Sequence, residues 1–478
     1  MSPTSTKKTE LLFATVLFFS MLVFKLFFTP EITIQGDEFE KWYEAKRVLY
    51  GFEFSHKFGT DHHITRFGIM WPTYIFQFIL GPKPAIYHVL MAAVFAGIGL
   101  SGYFISKELT SYKPQQILSV TLICLSPLYL KVGSQLLPSP FSVLYMFLTI
   151  LFLIKLERYP ESRRFMLLAV LCFFLAYGSK ITNVYFLPAI LAYVYFYIEK
   201  KQIQVFLLAL AICYLGEQWL NFYIFGEFSL FSRIDHMYFH VTAMEVRVYE
   251  PYDIFRRWLQ LPKVYFCVIV LSLVLSIVIL VKHRNHAAMV LMASMLLTYA
   301  LFFTFAITSI APLKFAEPLR IRYFLILLML SYLLIPYCLS QLFPRQRGIS
   351  VVVTALIILI NLPATLARWD NNAFTVNQYA DTVTSLYGKG VWLLFTTFRV
   401  AKLHRAMYLD DRYLFENGPN ARILGKTHAN YFREDPKGRV IFLNMVRKPV
   451  INEYLVLRSQ EDIAKDPSKF IPPKDRVR

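Results

Sequence analysis

Val264-Tyr265-Phe266-Cys267-Val268-Ile269-Val270-Leu271-Ser272-Leu273-Val274-Leu275-Ser276-Ile277-Val278-Ile279-Leu280-Val281-Lys282 carries no charge before its last residue, and His283 and Arg284 follow at once. A stretch of that length and character is what an α-helix needs to cross the hydrocarbon core of a bilayer. Working outward, similar blocks stand at about 10–29, 84–105, 116–133, 140–156, 165–178, 182–198, 204–224, 287–310, 322–341 and 349–367. The fifth of the eleven, 165–178, is short enough to be a broken or tilted helix. Composition agrees: 56% of the 478 residues are hydrophobic, against about 45–50% in soluble domains, and the mean hydropathy is +0.46. The expected fold is an α-helical polytopic membrane protein with about 11 transmembrane helices.

The charges orient these spans. Residues 1–10 are polar and basic, and no small-residue cleavage site follows, so the first block reads as a retained transmembrane helix. With Lys7 and Lys8 in the cytoplasm, every short loop on that side is basic. The pairs and clusters are Lys107 and Lys113; Lys155, Arg158, Arg163 and Arg164; Lys200 and Lys201; Lys282 and Arg284; Arg345 and Arg347. The other side receives the long segments 30–83 and 225–263, the turn at Lys180, the loop 311–321 and the tail from Arg368. That tail gains charge and shows strand-like runs such as Val440–Leu443 and Tyr454–Leu457, as a small C-terminal α/β soluble domain would. The expected division is a transmembrane catalytic domain, 1–367, and an extracytoplasmic soluble domain, 368–478. The net charge of +19 fits anionic headgroups or a phosphate-bearing lipid, and no nucleic acid is expected. All five cysteines lie in apolar blocks without CxxC spacing, as small buried hydrophobes do.

Chemistry-bearing residues gather on the side away from the basic loops. Asp37 and Glu38 follow the first span, ahead of an amphipathic run carrying Phe39, Trp42, Tyr43, Lys46 and Tyr50. Two carboxylates at a bilayer surface suit work on a lipid-borne substrate, although Asp37 with Glu40 also makes a capping-box pattern. Farther along the same loop, Asp61, His62 and His63 have the ligand chemistry for a divalent ion. No further His or Cys stands at ligand spacing, so neither metal nor another cofactor is expected. Arg66 suits a phosphate, because guanidinium binds it bidentately. Lys180 and Glu217 are ionisable groups beside or within apolar blocks, where charge is costly and often functional; snorkelling to the interface is the alternative for Lys180. Arg320 and Arg322 open the tenth span as a plausible phosphate clamp, with interfacial anchoring beside Tyr323 as the alternative.

Gln35-Gly36-Asp37-Glu38-Phe39-Glu40-Lys41-Trp42-Tyr43-Glu44-Ala45-Lys46 resembles the first loop of the GT-C glycosyltransferases, the ER and GPI-anchor mannosyltransferase branch above all. Glu217-Gln218-Trp219-Leu220-Asn221-Phe222-Tyr223 is similar to an acidic-aromatic segment of that branch, and Arg320-Ile321-Arg322-Tyr323 to its lipid-phosphate site. The protein O-mannosyltransferases and aminoarabinose transferases are more distantly similar. The resemblance implies transfer of a sugar, a mannose-like hexose or a modified pentose, from a polyprenyl-phosphate sugar donor to a glycan, lipid or protein acceptor. It implies Asp37 as general base, Glu38 orienting the acceptor, and Arg320, Arg322 and Lys180 stabilising the departing phosphate, with Arg66 and Glu217 in the binding set. The rival classes are a lipid-linked-sugar transporter or flippase and a non-catalytic membrane scaffold. The lack of a recognisable accessory module points to a bacterial inner membrane, and to the ER membrane if the source is eukaryotic.

The orientation has a direct test. Ser55→Cys and Ser459→Cys should both be labelled by an impermeant thiol reagent from outside; labelling of only one would contradict an odd number of spans.

Overall fold

The computed structural model describes residues 3–28, 41–42, 44–46, 49, 65–225, 228–230, 258–305, 307–310, 313–315, 321–366, 392–395, 421–423 and 440–443. Asp37, Glu38, Asp61, His62, His63 and Arg320 lie outside these residues, as does most of the tail. The chain folds as two compact units, residues 1–29 with 54–367 and residues 30–53 with 368–478.

The first unit is a helical bundle. Its helices are α1 (Pro3–Phe27), α2 (Phe67–Leu80), α3 (Pro84–Leu109), α4 (Lys113–Cys124), α5 (Pro127–Val132), α6 (Pro138–Arg158) and α7 (Arg163–Ser179). A 3₁₀ turn (Ile181–Phe186), α8 (Leu187–Tyr193) and a π turn (Val194–Ile198) follow, then α9 (Lys200–Phe225), α10 (Lys263–Lys282) and α11 (Ala287–Phe305). A short antiparallel pair, β1 (Ile307–Ile310) and β2 (Leu313–Phe315), precedes a second 3₁₀ turn (Ile321–Phe324), α12 (Leu325–Leu342) and α13 (Arg347–Leu366). Among the described residues nine helical segments are long and apolar enough to cross a membrane. The protein is therefore a multi-pass integral membrane protein. The two remaining expected blocks are helical as well: α7 has 17 residues, and 116–133 is divided between α4 and α5.

The interruption thus falls elsewhere than length suggested. The fifth block, as α7, is continuous, whereas the third is broken at Leu125-Ser126-Pro127 and the sixth is a 3₁₀–α–π composite. Proline accounts for the first break, since Pro127 has no amide hydrogen to continue the ladder and is favoured at a helix start. Ser126 accepts from the Tyr129 amide at 3.4 Å, and the Thr365 hydroxyl donates to the Leu125 carbonyl at 2.7 Å. Backbone groups freed inside a bilayer need such internal partners.

Polar contacts fix the direction of the helices. Near one end Glu10 of α1 pairs with Lys107 of α3, and Glu108 takes Lys155 at 3.4 Å and Arg158 from α6. Towards the other end Lys25 of α1 donates to the Leu130 carbonyl at 2.6 Å and to the Ser134 hydroxyl, and the Leu136 amide donates to Tyr87 at 2.8 Å. The α4–α5 pair therefore runs from the basic end of the bundle to the opposite end. The surface ion pairs add little stability; their information is register. At the centre stands α12, buried from Leu325 through Leu339, as expected of a helix that is apolar all round. In α1, α9 and α13 a face of large apolar residues is exposed, including Leu12, Leu208, Ile212, Leu356 and Leu359.

In the second unit the described strands are β3 (Trp392–Phe395), β4 (Ala421–Ile423) and β5 (Val440–Leu443). They form a parallel sheet in the order β4-β3-β5. Parallel strands are joined by crossover connections and not by tight hairpins. The strand-like run at Tyr454–Leu457 lies outside the described residues.

One close approach brings α2 to the end of α7. A Cβ on Gly68 would overlap the Leu175 carbonyl oxygen and the Ser179 hydroxyl, and one on Gly178 would overlap the Phe67 ring. Phe67 stacks on Phe174 with centroids 4.6 Å apart, and the Tyr145 hydroxyl donates to the Gly68 carbonyl at 3.0 Å. This glycine-to-ring packing sets Arg66, the residue before Phe67, against the end of α7.

Candidate functional site

Lys180 is where α7 stops. Its extended backbone (φ −151°, ψ 113°) ends the helix and begins the 3₁₀ turn. Asn183, fully buried, secures the stop: its amide donates to the Ala176 carbonyl at 2.6 Å, and its side-chain oxygen accepts from the Ser142 hydroxyl at 2.9 Å. Lys180 itself is only 8% exposed. Its amine donates to the Tyr299 hydroxyl of α11 at 3.4 Å and stands 4.7 Å from the centroid of the Tyr323 ring. The tyrosine face attracts the cation through its quadrupole. Lys180 therefore does not snorkel; it is held inside the protein.

The second 3₁₀ turn meets it from another direction. Phe324 is buried edge-on against Phe303 of α11 (5.3 Å) and Trp258 (5.0 Å), which fixes the turn that carries Arg322 and Tyr323. The Arg322 guanidinium lies 5.5 Å from the same Tyr323 ring. Arg66 opens α2, its carbonyl accepting from the Ile69 amide at 2.9 Å and the Met70 amide at 3.0 Å. Lys180 stands in the turn between two spans, outside both, and its amine is lowered from the usual lysine range to about 7. Burial is the largest cause, followed by the positive charges of Arg322 and then Arg66. Three cations from distant parts of the chain thus share one electrostatic neighbourhood. Nearby like charges are unfavourable, and a phosphate-like anion brought among them would relieve that repulsion.

The remaining candidates divide. Glu217 is buried on α9 in a network of amides, its two oxygens accepting from Asn221 at 2.8 Å and Gln218 at 2.6 Å. Gln218 continues to the Ser229 hydroxyl at 2.6 Å and accepts from the Leu230 amide at 3.0 Å, tying the end of α9 to the chain beyond it. Among the described residues no group of three or more His, Cys, Asp or Glu side chains could hold a metal ion. Sequence reasoning missed Tyr299, Thr182 and Asn183. Tyr299 sits in an apolar block like many other aromatics, and only its neighbours in space distinguish it. Tyr323, named in the sequence only for the alternative of interfacial anchoring, has its ring centroid 4.7 Å from the Lys180 amine and 5.5 Å from the Arg322 guanidinium.

This arrangement lies in an architecture already known. ArnT from Cupriavidus metallidurans bound to undecaprenyl phosphate superposes with a TM-score of 0.55 at 11% identity, over 92% of this chain and 93% of that one. The apo state of ArnT from Cupriavidus metallidurans gives 0.52 at 9% identity, over 91% and 93%. The chain has the GT-C fold. No family model matches its sequence, and no curated protein matches it significantly. ArnT lies in the aminoarabinose-transferase branch, to which the sequence bears the more distant likeness.

The lowered lysine gives a pH dependence of known sign. Below about 7 Lys180 is charged and attracts an anion; above it, among the described residues, Arg66 and Arg322 carry the positive charge of the cluster. Affinity for sulfate, whose charge does not change in this range, should fall as pH rises through 7 and beyond. Loss of one charge-assisted hydrogen bond predicts roughly a tenfold drop. Lys180→Arg should give a flat profile between pH 6 and about 9, because arginine stays charged. A wild-type profile that is equally flat would show that the Lys180 amine is not lowered towards neutrality.

Proposed function

We propose that the protein is an integral membrane glycosyltransferase that takes a sugar from a polyprenyl-phosphate donor and passes it to an extracytoplasmic glycan, lipid or protein acceptor. The observation that carries this reading is that Lys180 and Arg322 share the Tyr323 ring, 4.7 and 5.5 Å from its centroid, with the Arg66 charge acting on the same lysine. It is supported by a fold shared with a protein crystallised with undecaprenyl phosphate. The lipid-linked phosphate enters from the bilayer and sits among the three cations, with Arg320 two residues before Arg322 in the same segment. Guanidinium forks suit its oxygens, and lysine adds a compact charge.

Asp37 takes the proton of the acceptor hydroxyl while Glu38 orients that group. The acceptor oxygen bonds to the sugar C1 as the bond from C1 to the phosphate oxygen breaks, and its electron pair leaves with the phosphate. Charge on the departing polyprenyl phosphate rises during this step, so preorganised cations there stabilise the transition state more than the ground state. Asp37 need only remain ionised, and no large displacement of its pKa is required. The sugar is a mannose-like hexose or a modified pentose. Residues 1–367 form the catalytic domain and 368–478 an extracytoplasmic soluble domain. The membrane is a bacterial inner membrane, or the ER membrane in a eukaryote.

The test is a transfer assay with purified full-length protein in nanodiscs, supplied with hexosyl and pentosyl polyprenyl phosphates and candidate acceptors. Release of polyprenyl phosphate with sugar on the acceptor is expected. Asp37→Asn should preserve folding, since Asn caps a helix about as well as Asp, and should cost about two to four orders of magnitude in turnover. Arg322→Ala should raise the donor KM roughly tenfold or more. A parallel assay in sealed vesicles that showed donor crossing the bilayer uncleaved would establish a transporter instead.

A further inference from the structure

We infer that Tyr299, supported by Thr182, is a positioning residue that aims the Lys180 amine at the donor phosphate, a role that rests on the phosphate reading above. A lysine ends in a point charge on a flexible four-carbon stem, so its direction must come from its surroundings. Tyr299 is fully buried, and its ring is held on two sides: stacked on Phe186 at 4.5 Å and on Phe303 at 5.3 Å. Its hydroxyl oxygen is consequently fixed in place. That oxygen accepts from Lys180 at 3.4 Å, the long end of the hydrogen-bond range, so it steers the amine more than it clamps it.

The proton arrangement follows. Because the phenol oxygen accepts from the lysine, its own hydrogen is free to be directed at the Thr182 hydroxyl 3.2 Å away. Thr182 lies on the same 3₁₀ turn, two residues beyond Lys180. The hydroxyl pair therefore locks the orientation of the acceptor from the lysine's own turn. With one N–H on Tyr299 and the Tyr323 face on another side, an ammonium hydrogen remains for a phosphate oxygen.

Tyr299 also sets the spacing between two of the cations. Phe186, Tyr299, Phe303 and Phe324 form a continuous series of ring contacts at 4.5, 5.3 and 5.3 Å. Phe186 belongs to the turn of Lys180, and Phe324 to the turn of Arg322. The stack thus works as a rigid spacer from one cation's turn to the other's. Replacing the hydroxyl alone leaves the spacer in place and removes only the steering, which separates the two roles.

Among the described residues, the charged and titratable groups that face the amine are Arg66 at the start of α2, Arg322 and Tyr323 from the second 3₁₀ turn and Tyr299 from α11, with Tyr185 of the lysine's own turn against Tyr299. The two arginines oppose the charged amine, and the Tyr299 oxygen favours it. Losing that oxygen should move the loss of Lys180 charge to lower pH.

The experiment measures binding of undecaprenyl phosphate to full-length protein in nanodiscs between pH 6 and about 9, with thermal stability followed alongside. The variants are Tyr299→Phe, Lys180→Ala, Thr182→Val and the Tyr299→Phe/Lys180→Ala pair. Tyr299→Phe should weaken binding about fivefold to tenfold in the wild-type background and leave it unchanged in Lys180→Ala, the sign of an effect exerted through the lysine. It should also shift the fall in affinity towards lower pH, with Lys180→Ala supplying the ligand's own titration as the baseline. Thr182→Val should give a smaller loss, about threefold, with the same dependence on Lys180, and serves if Tyr299→Phe does not fold. Unchanged binding in Tyr299→Phe and Thr182→Val, or an equal loss in the Lys180→Ala background, would overturn the positioning role while leaving the phosphate site standing. A wild-type protein that does not bind undecaprenyl phosphate would overturn the phosphate reading and this inference together.

Discussion

The end of α7 is pinned by Asn183, whose side-chain amide adds a second donor to the Ala176 carbonyl, which already accepts from the Lys180 amide at 3.0 Å. Asn183 also accepts from Ser142, so it ties the last turn of α7 and the following 3₁₀ turn to α6 where the helix stops at Lys180. The rest of the site depends on that stop. Had the helix continued, residue 180 would lie on a regular helical surface and its amine would be drawn towards the nearest water. The extended backbone at Lys180 instead turns the side chain into the space between α11 and the turn before α12.

Gathering like charges has a cost, and the packing around them supplies the offset. Arg66 is placed by a contact that only glycine at 68 and 178 permits, and Arg322 by the edge-on burial of Phe324. Lys180 is placed by a hydroxyl and an aromatic face. Each cation thus sits on a separately fixed segment, so the cluster cannot easily relax by moving apart. Electrostatic preorganisation of this kind suits a reaction in which negative charge accumulates on a departing phosphate. It also explains why the Lys180 amine lies near neutrality, since burial and two neighbouring guanidinium groups all disfavour its charge.

Much of this was legible in the sequence, for identifiable reasons. Apolar blocks announce spans because the bilayer sets their length; Lys180 stood out because charge is costly where it lies, Arg66 because guanidinium suits phosphate, and Arg322 because it opens a span on the side away from the basic loops. The helix breaks were harder to place. The short fifth block attracted attention, yet the interruptions came where Pro127 and the Asn183-containing turn favour them. Glu217 was equally conspicuous, and its oxygens accept from Gln218 and Asn221, its neighbours along α9. Tyr299 could not be singled out among 30 tyrosines and 44 phenylalanines. Its significance comes from Lys180, 119 residues away in sequence and hydrogen-bonded to it in space.

A structure of the full-length protein in a nanodisc with undecaprenyl phosphate tests the central claim most directly. The lipid phosphate is expected among Arg66, Lys180 and Arg322, with oxygens about 3 Å from at least two of the three side chains. A phosphate seated elsewhere, for instance among the basic loops at the opposite end of the bundle, would contradict the account.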